Sequence, residues 1–356
     1  MSAVRYKKSV QPVRTDGRNI DVGKAELSGE AASQEASGSG DEHISSVAQT
    51  WRQLPQPNRS DPTYYDRPLL KEPVWDWTIP VYFYAGGLGG AALVLAAAVQ
   101  LRSSKQRARL IRRCRWMGFI AACISGALLI YDLGRPSRFF NMLRVFRPTS
   151  PMNMGVWILT ATAGTSMMTL ALRGRNGLLG DIGEACGYAS GIAGMGFATY
   201  TGVLISSTAI PVWQESRRVL PVLFAASAMN SVGSVFEMFV EDPEERRITK
   251  AFGTAGQIAG MVAGIVMEKH ASVVDRVGRP FKQGLSGVMW KTAAVLTATS
   301  AAVGVLPGRS RNKRLIAGAL GTLGSILMRF AIQRAGVASA RDARASFHQQ
   351  RAAIER

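Results

Sequence analysis

Cysteine and histidine are scarce in this chain, with three of each among 356 residues. No two cysteines form a CxxC pair, and no two histidines are spaced to share one face of a helix. A haem or an iron–sulfur cluster needs several such ligands held together. The sequence therefore predicts no haem, no Fe–S cluster and no other metal site within this chain.

Charge is also scarce. Asp, Glu, Lys and Arg make up 19% of the residues, against roughly 25% in an average soluble domain. Residues 1–74 carry ten basic and ten acidic side chains, so the whole net charge of +19 lies in residues 75–356, which are otherwise strongly apolar. Basic loops between apolar segments are typical of polytopic membrane proteins, whereas a nucleic-acid binder lines a groove of a soluble fold with them. The composition therefore favours a lipid bilayer as partner and argues against nucleic acid.

Eight apolar segments are long enough, or nearly so, to cross a bilayer, which needs about 20 apolar residues per helix. They are 79–101, 116–131, 154–172, 185–213, 219–236, 251–267, 283–306 and 315–332. Glycines 86–90 lie inside the first segment, which favours close helix packing over a phosphate-binding loop. Lys291 and Arg329 interrupt the last two segments near their ends, where long side chains can reach the headgroups. The sequence predicts an all-α, multi-pass integral membrane protein with eight transmembrane helices.

The loops predict an orientation. Connections after segments 1, 3, 5 and 7 hold 16 Lys and Arg residues, and those after segments 2, 4 and 6 hold 10. Because basic loops resist export, the first set is expected to be cytoplasmic. The polar extension before residue 75 shows no apolar periodicity and no signal-peptide core, and we expect it to be irregular and mostly disordered.

One motif stands at the end of the second segment. Tyr131 and Asp132 are followed by Leu-Gly-Arg135-Pro136. A carboxylate and a guanidinium three residues apart can pair, and Pro136 ends the helix. Residues 139–146 then have the pattern of a short interfacial helix, and residues 150–157 begin the next helix. Interfacial anchoring by arginine and aromatic side chains is the simpler explanation of the same pattern.

Further polar and aromatic side chains fall at the same membrane surface if the helices alternate in direction. Asp76, Trp77 and Tyr82 lie at the start of the first segment, Asn153 at the start of the third and Tyr200 near the end of the fourth. A quinone needs hydrogen-bonding groups for its ring and lipid for its isoprenoid tail, so an amphipathic pocket at membrane depth suits it.

Four stretches together are similar to the NrfD-like, polysulfide-reductase-type membrane subunits. They read WDWTIPVYFYAGGLGGA, YDLGRPSRFFNMLRVFRPTSPMNMGVW, YTGVLISSTAIPVW and LPVLFAASAMNSVG, and the DLGRP and SPMNMGVW parts are the most specific. The resemblance implies two four-helix bundles, with a menaquinone or ubiquinone site in the first. It also implies electron exchange with a ferredoxin-like Fe–S subunit, a molybdopterin or multihaem cytochrome subunit in the same complex, and the bacterial inner (cytoplasmic) membrane.

The resemblance also suggests roles for single residues. Tyr200 matches by motif a tyrosine in the family's fourth helix. Where some members have His and Asn near the first helix, this chain has Lys71, Glu72 and Asp76, so Asp132 and Asp76 are the expected proton acceptors. The expected catalytic residues are Asp132 and Tyr200. The expected quinone-binding set is Asp76, Trp77, Tyr82, Asp132, Arg135, Asn153 and Tyr200.

The expected organisation is a polar extension (1–74), a first four-helix bundle with the quinone site (75–213), a second bundle (214–333) and a basic tail (334–356). The expected function is a quinone-interacting membrane anchor of a respiratory oxidoreductase, either non-catalytic or itself oxidising or reducing quinol. An ion-translocating or secondary-transporter-like subunit and a purely structural anchor remain as alternatives. Glu237 and Glu268, at the ends of their segments, are either part of a proton path or solvated helix ends.

Overall fold

The structure is a computed structural model that describes residues 19–21, 26–28, 69–103, 107–134, 136–306 and 310–354. The protein divides into two units, Met1–Asp66 and Arg67–Arg356. The first contains an antiparallel pair of short strands, β1 (Asn19–Asp21) and β2 (Glu26–Ser28), with Asn19 opposite Ser28. The rest of the extension expected to be disordered, up to residue 68, lies outside the described residues.

The second unit is helical. Its twelve described helices are α1 (Thr78–Ser103), α2 (Ala108–Asp132), α3 (Pro136–Arg144), α4 (Pro151–Ala171), α5 (Leu178–Ser206), α6 (Pro211–Glu215), α7 (Leu220–Phe239), α8 (Pro243–Ser272), α9 (Asp275–Lys282), α10 (Gly284–Val305), α11 (Arg311–Arg341) and α12 (Ala343–Ile354). Each of the eight predicted segments corresponds to one long helix, and α3 is the predicted interfacial helix. The all-α fold is confirmed.

Seven of the long helices in the described part of the protein are apolar enough to cross a bilayer. The eighth long helix, α5, has 29 residues but is not among the seven, since glycines and hydroxyl-bearing side chains lower the hydropathy of even its uncharged part. It ends at Ser206 rather than at residue 213, because Pro211 begins the separate helix α6. The helices α8 and α11 extend beyond the predicted segments through charged turns that an apolar window does not include.

The long helices pack in two groups of four. Helices α1, α2, α4 and α5 contact one another, and so do α7, α8, α10 and α11, while α1 and α5 also contact α7. Small residues allow the closest crossings: a Cβ on Gly90 would lie 2.5 Å from the Gly194 carbonyl oxygen, and one on Gly233 would lie 2.5 Å from the Gly253 Cα. Close approach of this kind is how helices associate in lipid. The boundaries of the two bundles in residues stay a prediction.

Contacts between helix ends define two ends of the bundle. At the end that we call the site end, Thr78 meets Asp132 and Trp75 stacks on Trp213. At the opposite end, which we call the basic end, Arg107 pairs with Glu244 at 2.8 Å and Arg113 with Glu245 at 2.6 Å. These pairs join α2 to α8 across the two groups.

The expectation that Arg329 reaches the headgroups is wrong. Its side chain is 1% exposed, its guanidinium lies 3.8 Å from the centre of the Phe224 ring, and one amine donates to the Phe224 carbonyl oxygen at 3.0 Å. The residue lies well inside α11, which continues to Arg341, so its position is not a helix end. Lys291, by contrast, is exposed near the start of α10, and its amine donates to the Lys282 carbonyl oxygen at 3.1 Å.

Candidate functional site

The start of α1 and the end of α2 meet at the site end through a hydrogen bond. The Thr78 hydroxyl donates to an Asp132 carboxylate oxygen at 3.2 Å, and Asp76 is near enough to interact electrostatically with the same carboxylate. Thr78 is 1% exposed, whereas Asp132 lies at the surface. A carboxylate that accepts a hydrogen bond at one oxygen and is otherwise exposed can exchange a proton with a bound molecule.

The local sequence fixes the position of Asp132. The Leu133 and Gly134 amides donate to the carbonyl oxygens of Leu129 and Tyr131, which closes the last turn of α2. Gly134 has φ +67°, a left-handed conformation that glycine adopts without strain and that commonly ends helices. The expected partner Arg135 lies outside the described residues.

Tyr200 joins α5 to the beginning of α4. Its hydroxyl donates a hydrogen bond to the Pro151 carbonyl oxygen, and its ring packs directly against Gly155, where any Cβ would collide with it. Tyr200 is 7% exposed. Tyr82 of α1 is buried as well, tilted against Phe83 with ring centres 5.6 Å apart, and its phenol interacts electrostatically with that of Tyr200.

Asn153 is committed to the backbone of the segment between α3 and α4. Its amide nitrogen donates to the carbonyl oxygens of Met142 (2.6 Å) and Val145 (2.9 Å), and its amide oxygen accepts from the Arg147 N–H at 2.7 Å. Its own backbone N–H donates to the Ser150 hydroxyl, which caps α4. This arrangement gives Asn153 a positioning role for the motif that follows Asp132.

Aromatic side chains surround the site end. Trp75 stacks on Trp213 with ring centres 5.6 Å apart and meets Phe83 edge-on. The Trp213 indole donates to the Ile332 carbonyl oxygen at 2.9 Å, which ties α6 to α11. The expected ligand-binding residue Trp77 is 60% exposed, so most of its side chain is not packed into this cluster.

One buried donor near the site was not singled out from the sequence. The Trp157 indole nitrogen of α4 is buried and has no hydrogen-bond partner in the described part of the protein, while its ring meets Phe146 edge-on at 5.7 Å. A buried N–H without a partner is costly and often marks a place for a ligand or a water. The sequence feature that could have drawn attention to Trp157 is its place at the end of the SPMNMGVW stretch. Thr78 was also missed, because nothing in the sequence indicates a contact with a residue 54 positions away.

The structure therefore brings Asp76, Tyr82, Asp132, Asn153 and Tyr200 to one end of the first helix group. It does not place them around a shared cavity: of the four cavities that stand out among the described residues, none is lined by Tyr82, Asp132 or Tyr200. The cavity with the best-defined apolar walls, about 290 Å³, lies in the other helix group. Among the described residues no three His, Cys, Asp or Glu side chains are grouped to hold a metal ion.

Long apolar helices and lipid-facing apolar side chains define this protein as an integral membrane protein of helical type. Residues 68–336, well over half of the sequence, match the family model described as "Polysulphide reductase, NrfD". The chain belongs to this family, and the resemblance seen in the sequence is confirmed.

Two relatives are similar over shorter stretches. The C subunit of polysulfide reductase from Wolinella succinogenes is 27% identical over 178 residues, which cover 44% of this sequence and 55% of that protein. "Protein NrfD homolog" of Haemophilus influenzae is 34% identical over 89 residues, which cover 24% of this sequence and 27% of that protein. The match thus spans less than two thirds of the length of either relative.

Proposed function

We propose that the protein is the quinone-interacting membrane subunit of a respiratory oxidoreductase in the bacterial inner membrane. The observation that carries the proposal is the meeting of Asp132, Thr78, Tyr82 and Tyr200 at one end of the first helix group. Ionisable groups inside a membrane bundle are expensive and usually functional. Membership of the NrfD family supports the same conclusion.

The residues fit a quinone ring by their chemistry. The surface carboxylate of Asp132 can accept a proton from a ring hydroxyl, and the buried Trp157 N–H can donate to a ring oxygen. The apolar surroundings, with exposed Tyr131 next to Asp132 in sequence, suit an isoprenoid tail.

A bound quinol supplies two electrons and two protons. In this proposal Asp132 accepts one proton at a carboxylate oxygen while Thr78 donates a hydrogen bond to the same group, and Asp76 relays that proton toward water. The second proton follows the same route once Asp132 is deprotonated again. The hydrogen bond of Tyr200 holds α5 against the start of α4, so that the quinone ring packs against a fixed surface. The same groups serve the reverse direction, in which quinone receives electrons and protons.

The electrons would pass to a partner subunit. One relative is named as a single lettered subunit of polysulfide reductase, a name that implies further subunits, and we infer a ferredoxin-like Fe–S subunit and a molybdopterin or multihaem subunit as partners. The site end offers a surface for docking, because several large apolar side chains are exposed there. They are Val74, Trp77, Phe140, Val145 and Phe146.

The test is quinol turnover by the purified complex containing single variants. We expect Asp132→Asn to lower kcat/KM for quinol about 100-fold, in the range typical of a lost proton-transfer group. Tyr200→Phe should lower it less, through loss of the contact with Pro151. The matched controls are Asp275→Asn, an exposed carboxylate of α9 at the same end, and Tyr188→Phe on the same helix as Tyr200. Turnover within twofold of wild type in both site variants would remove this site.

A further inference from the structure

The second helix group contains a cleft that the proposed quinone site does not use. It lies between α7, α8, α10 and α11 and encloses about 290 Å³. Most of its wall is apolar or glycine, and it includes Leu223, Gly260, Gly264, Ala293 and Met328. Helices α8 and α10 contact each other far less than each contacts its other neighbour, so the cleft lies along a gap between them.

The gap faces the lipid. Met261 and Ile265 of α8 line the cleft and are 36% and 58% exposed, and Ala294 and Ala298 of α10 line it and are exposed as well. In a bundle that spans a membrane, such apolar surfaces are covered by hydrocarbon. A molecule dissolved in the bilayer therefore reaches the cleft without passing through water.

Three of the polar or aromatic residues that line the cleft lie in its half nearer the site end, and further polar residues line its middle. Ser227 is the eighth residue of α7, Trp290 the seventh of α10, and Glu268 lies four residues before the end of α8, so all three are within about 11 Å of their helix ends. The Trp290 indole donates to a Glu268 carboxylate oxygen at 3.4 Å. Glu268 is thus engaged inside the bundle and is not a freely solvated helix end.

Ser227 is the observation that points to a ligand. Its side chain is 7% exposed and lines the cleft, yet its hydroxyl has no hydrogen-bond partner in the described part of the protein. A neighbouring amide in the same wall, Asn230, is by contrast satisfied by Ser325 at 2.9 Å. A buried hydroxyl without a partner costs about 1–3 kcal/mol, which a ligand with a hydrogen-bond acceptor would recover.

We propose that this cleft binds a quinone, as a second site distinct from the one at Asp132. A ring carbonyl would accept from the Ser227 hydroxyl, the ring would lie against Trp290, and the isoprenoid tail would leave through the gap between α8 and α10. A phospholipid acyl tail could fill the same volume, but it has no acceptor for Ser227. The inference rests on the proposed function for the class of ligand, and on the cleft itself for the existence of a second site.

The experiment measures how many molecules of decylubiquinone the purified full-length protein binds in phosphatidylcholine vesicles, with tryptophan fluorescence quenching as the second readout. Gly260→Leu fills the cleft, since a Cβ there would meet Ala226 at an ordinary 3.7 Å. The matched control is Gly164→Leu in α4, where a Cβ would meet nothing within 4 Å. We expect two equivalents bound to wild type and to the control, and one to Gly260→Leu.

Two further variants separate the ligand sources and the two sites. Ser227→Ala should weaken the cleft site about fivefold without removing it, as expected for one hydrogen bond. Asp132→Asn should leave intact the part of the tryptophan quenching that Gly260→Leu removes. Unchanged stoichiometry in Gly260→Leu would overturn the inference, and so would native mass spectrometry that shows a phospholipid, retained in the presence of decylubiquinone, in wild type but not in Gly260→Leu. Loss of all binding in Gly260→Leu would support the cleft and contradict the site at Asp132, so the two proposals fail separately.

Discussion

Asn153 shows how one side chain organises the site end at the scale of a residue. Its three side-chain hydrogen bonds reach Met142, Val145 and Arg147, and so it closes the turn that leads from the interfacial helix α3 into α4. Pro151 and Gly155, which position Tyr200, lie two residues before and two residues after Asn153 in the first turns of α4. The position of Tyr200 therefore depends on Asn153 even though the two side chains have different partners.

We predict that Asn153→Leu lowers the stability of the purified protein by about 3 kcal/mol, since each of three buried hydrogen bonds contributes on the order of 1 kcal/mol. The measurement is the midpoint of thermal unfolding in detergent. Asn141→Leu, an exposed position on α3, is the control and should change little. Equal midpoints for the two variants would show that Asn153 does not hold this turn.

Arg329 is the second residue whose environment makes a sharp prediction. Its guanidinium extends from α11 and is buried beside Gly87 of α1 and Phe224 of α7, and two of its nitrogens have no partner in the described residues. A planar guanidinium can stack on a ring, whereas a lysine ammonium is a compact and strongly hydrated charge. Replacing a poorly paired buried charge by an apolar side chain of similar volume is often neutral or stabilising.

We therefore predict that Arg329→Met is more stable than Arg329→Lys by about 2 kcal/mol or more. Thermal unfolding of the two variants, with Lys291→Met as the exposed control, checks the order. If the lysine variant were the more stable, a positive charge at this position would be structurally required, and an unseen anionic partner would have to be sought.

At the scale of the element, α8 depends on its first turn at the basic end. The Asp242 carboxylate accepts from the backbone N–H groups of Glu244 (2.9 Å) and Glu245 (3.0 Å), which caps the helix. The hydrogen bond from Glu245, more than any other influence, lowers the pKa of Asp242 below its ordinary value. A lowered folded-state pKa means that the cap stabilises the folded protein above the ordinary carboxyl range and that this stability is lost as the pH falls through the lowered pKa.

We predict that Asp242→Ala lowers the unfolding midpoint at neutral pH, whereas Asp242→Asn, which retains a capping oxygen, lowers it less. The difference between wild type and Asp242→Ala should shrink as the pH is lowered through the acidic range. Unfolding midpoints measured across a pH series test this. A difference that stays constant with pH would mean that the charge of Asp242 contributes nothing beyond its shape.

The positions of the helices could be predicted from the sequence, whereas the contacts between them could not. Long apolar runs predicted the eight long helices, and Pro136 predicted the break after α2, because both signals are local. The burial of Arg329, the hydrogen bond between Thr78 and Asp132 and the stacking of Trp75 on Trp213 depend on which helix faces which. An apolar helix that is hydrophobic on all sides carries no periodicity to show its neighbour, so these contacts could not be derived.

At the scale of the whole molecule, the two ends of the bundle differ in chemistry. Ion pairs occur at both ends, but the stacked Trp75 and Trp213 rings and Asp132 lie at the site end, whereas Arg107 and Arg113 of the most basic loop region lie at the basic end. Basic loops resist export, so the basic end is expected in the cytoplasm and the site end on the outer side.

Labelling of single cysteines in a variant without native cysteines tests this orientation. We predict that a membrane-impermeant maleimide labels Asp275→Cys, at an exposed position of the site end outside the proposed docking surface, in intact cells. Lys105→Cys, in the basic loop, should be labelled only after the membrane is permeabilised. The reverse pattern would invert the topology and would move the partner subunits to the other side of the membrane.

The described part of the structure gives little support to a transporter-like function. It would be favoured by a charge pair near the middle of the bilayer, but the buried cation Arg329 makes no ion pair in the described part of the protein. The ion pairs found there join helix ends or flanking segments, as those of Arg276 with Asp342 and of Arg341 with Glu72 illustrate.

The central claim is that a quinone binds at the site end of the first helix group. Photo-crosslinking with an azido-quinone, followed by mapping of the labelled peptides, tests it most directly. The account predicts labelling within residues 69–82 and 131–157 that excess decylubiquinone suppresses and that Asp132→Asn reduces, in addition to any label in the cleft of the second group. Label confined to the cleft, or label at the site end that excess decylubiquinone does not suppress, would contradict the account.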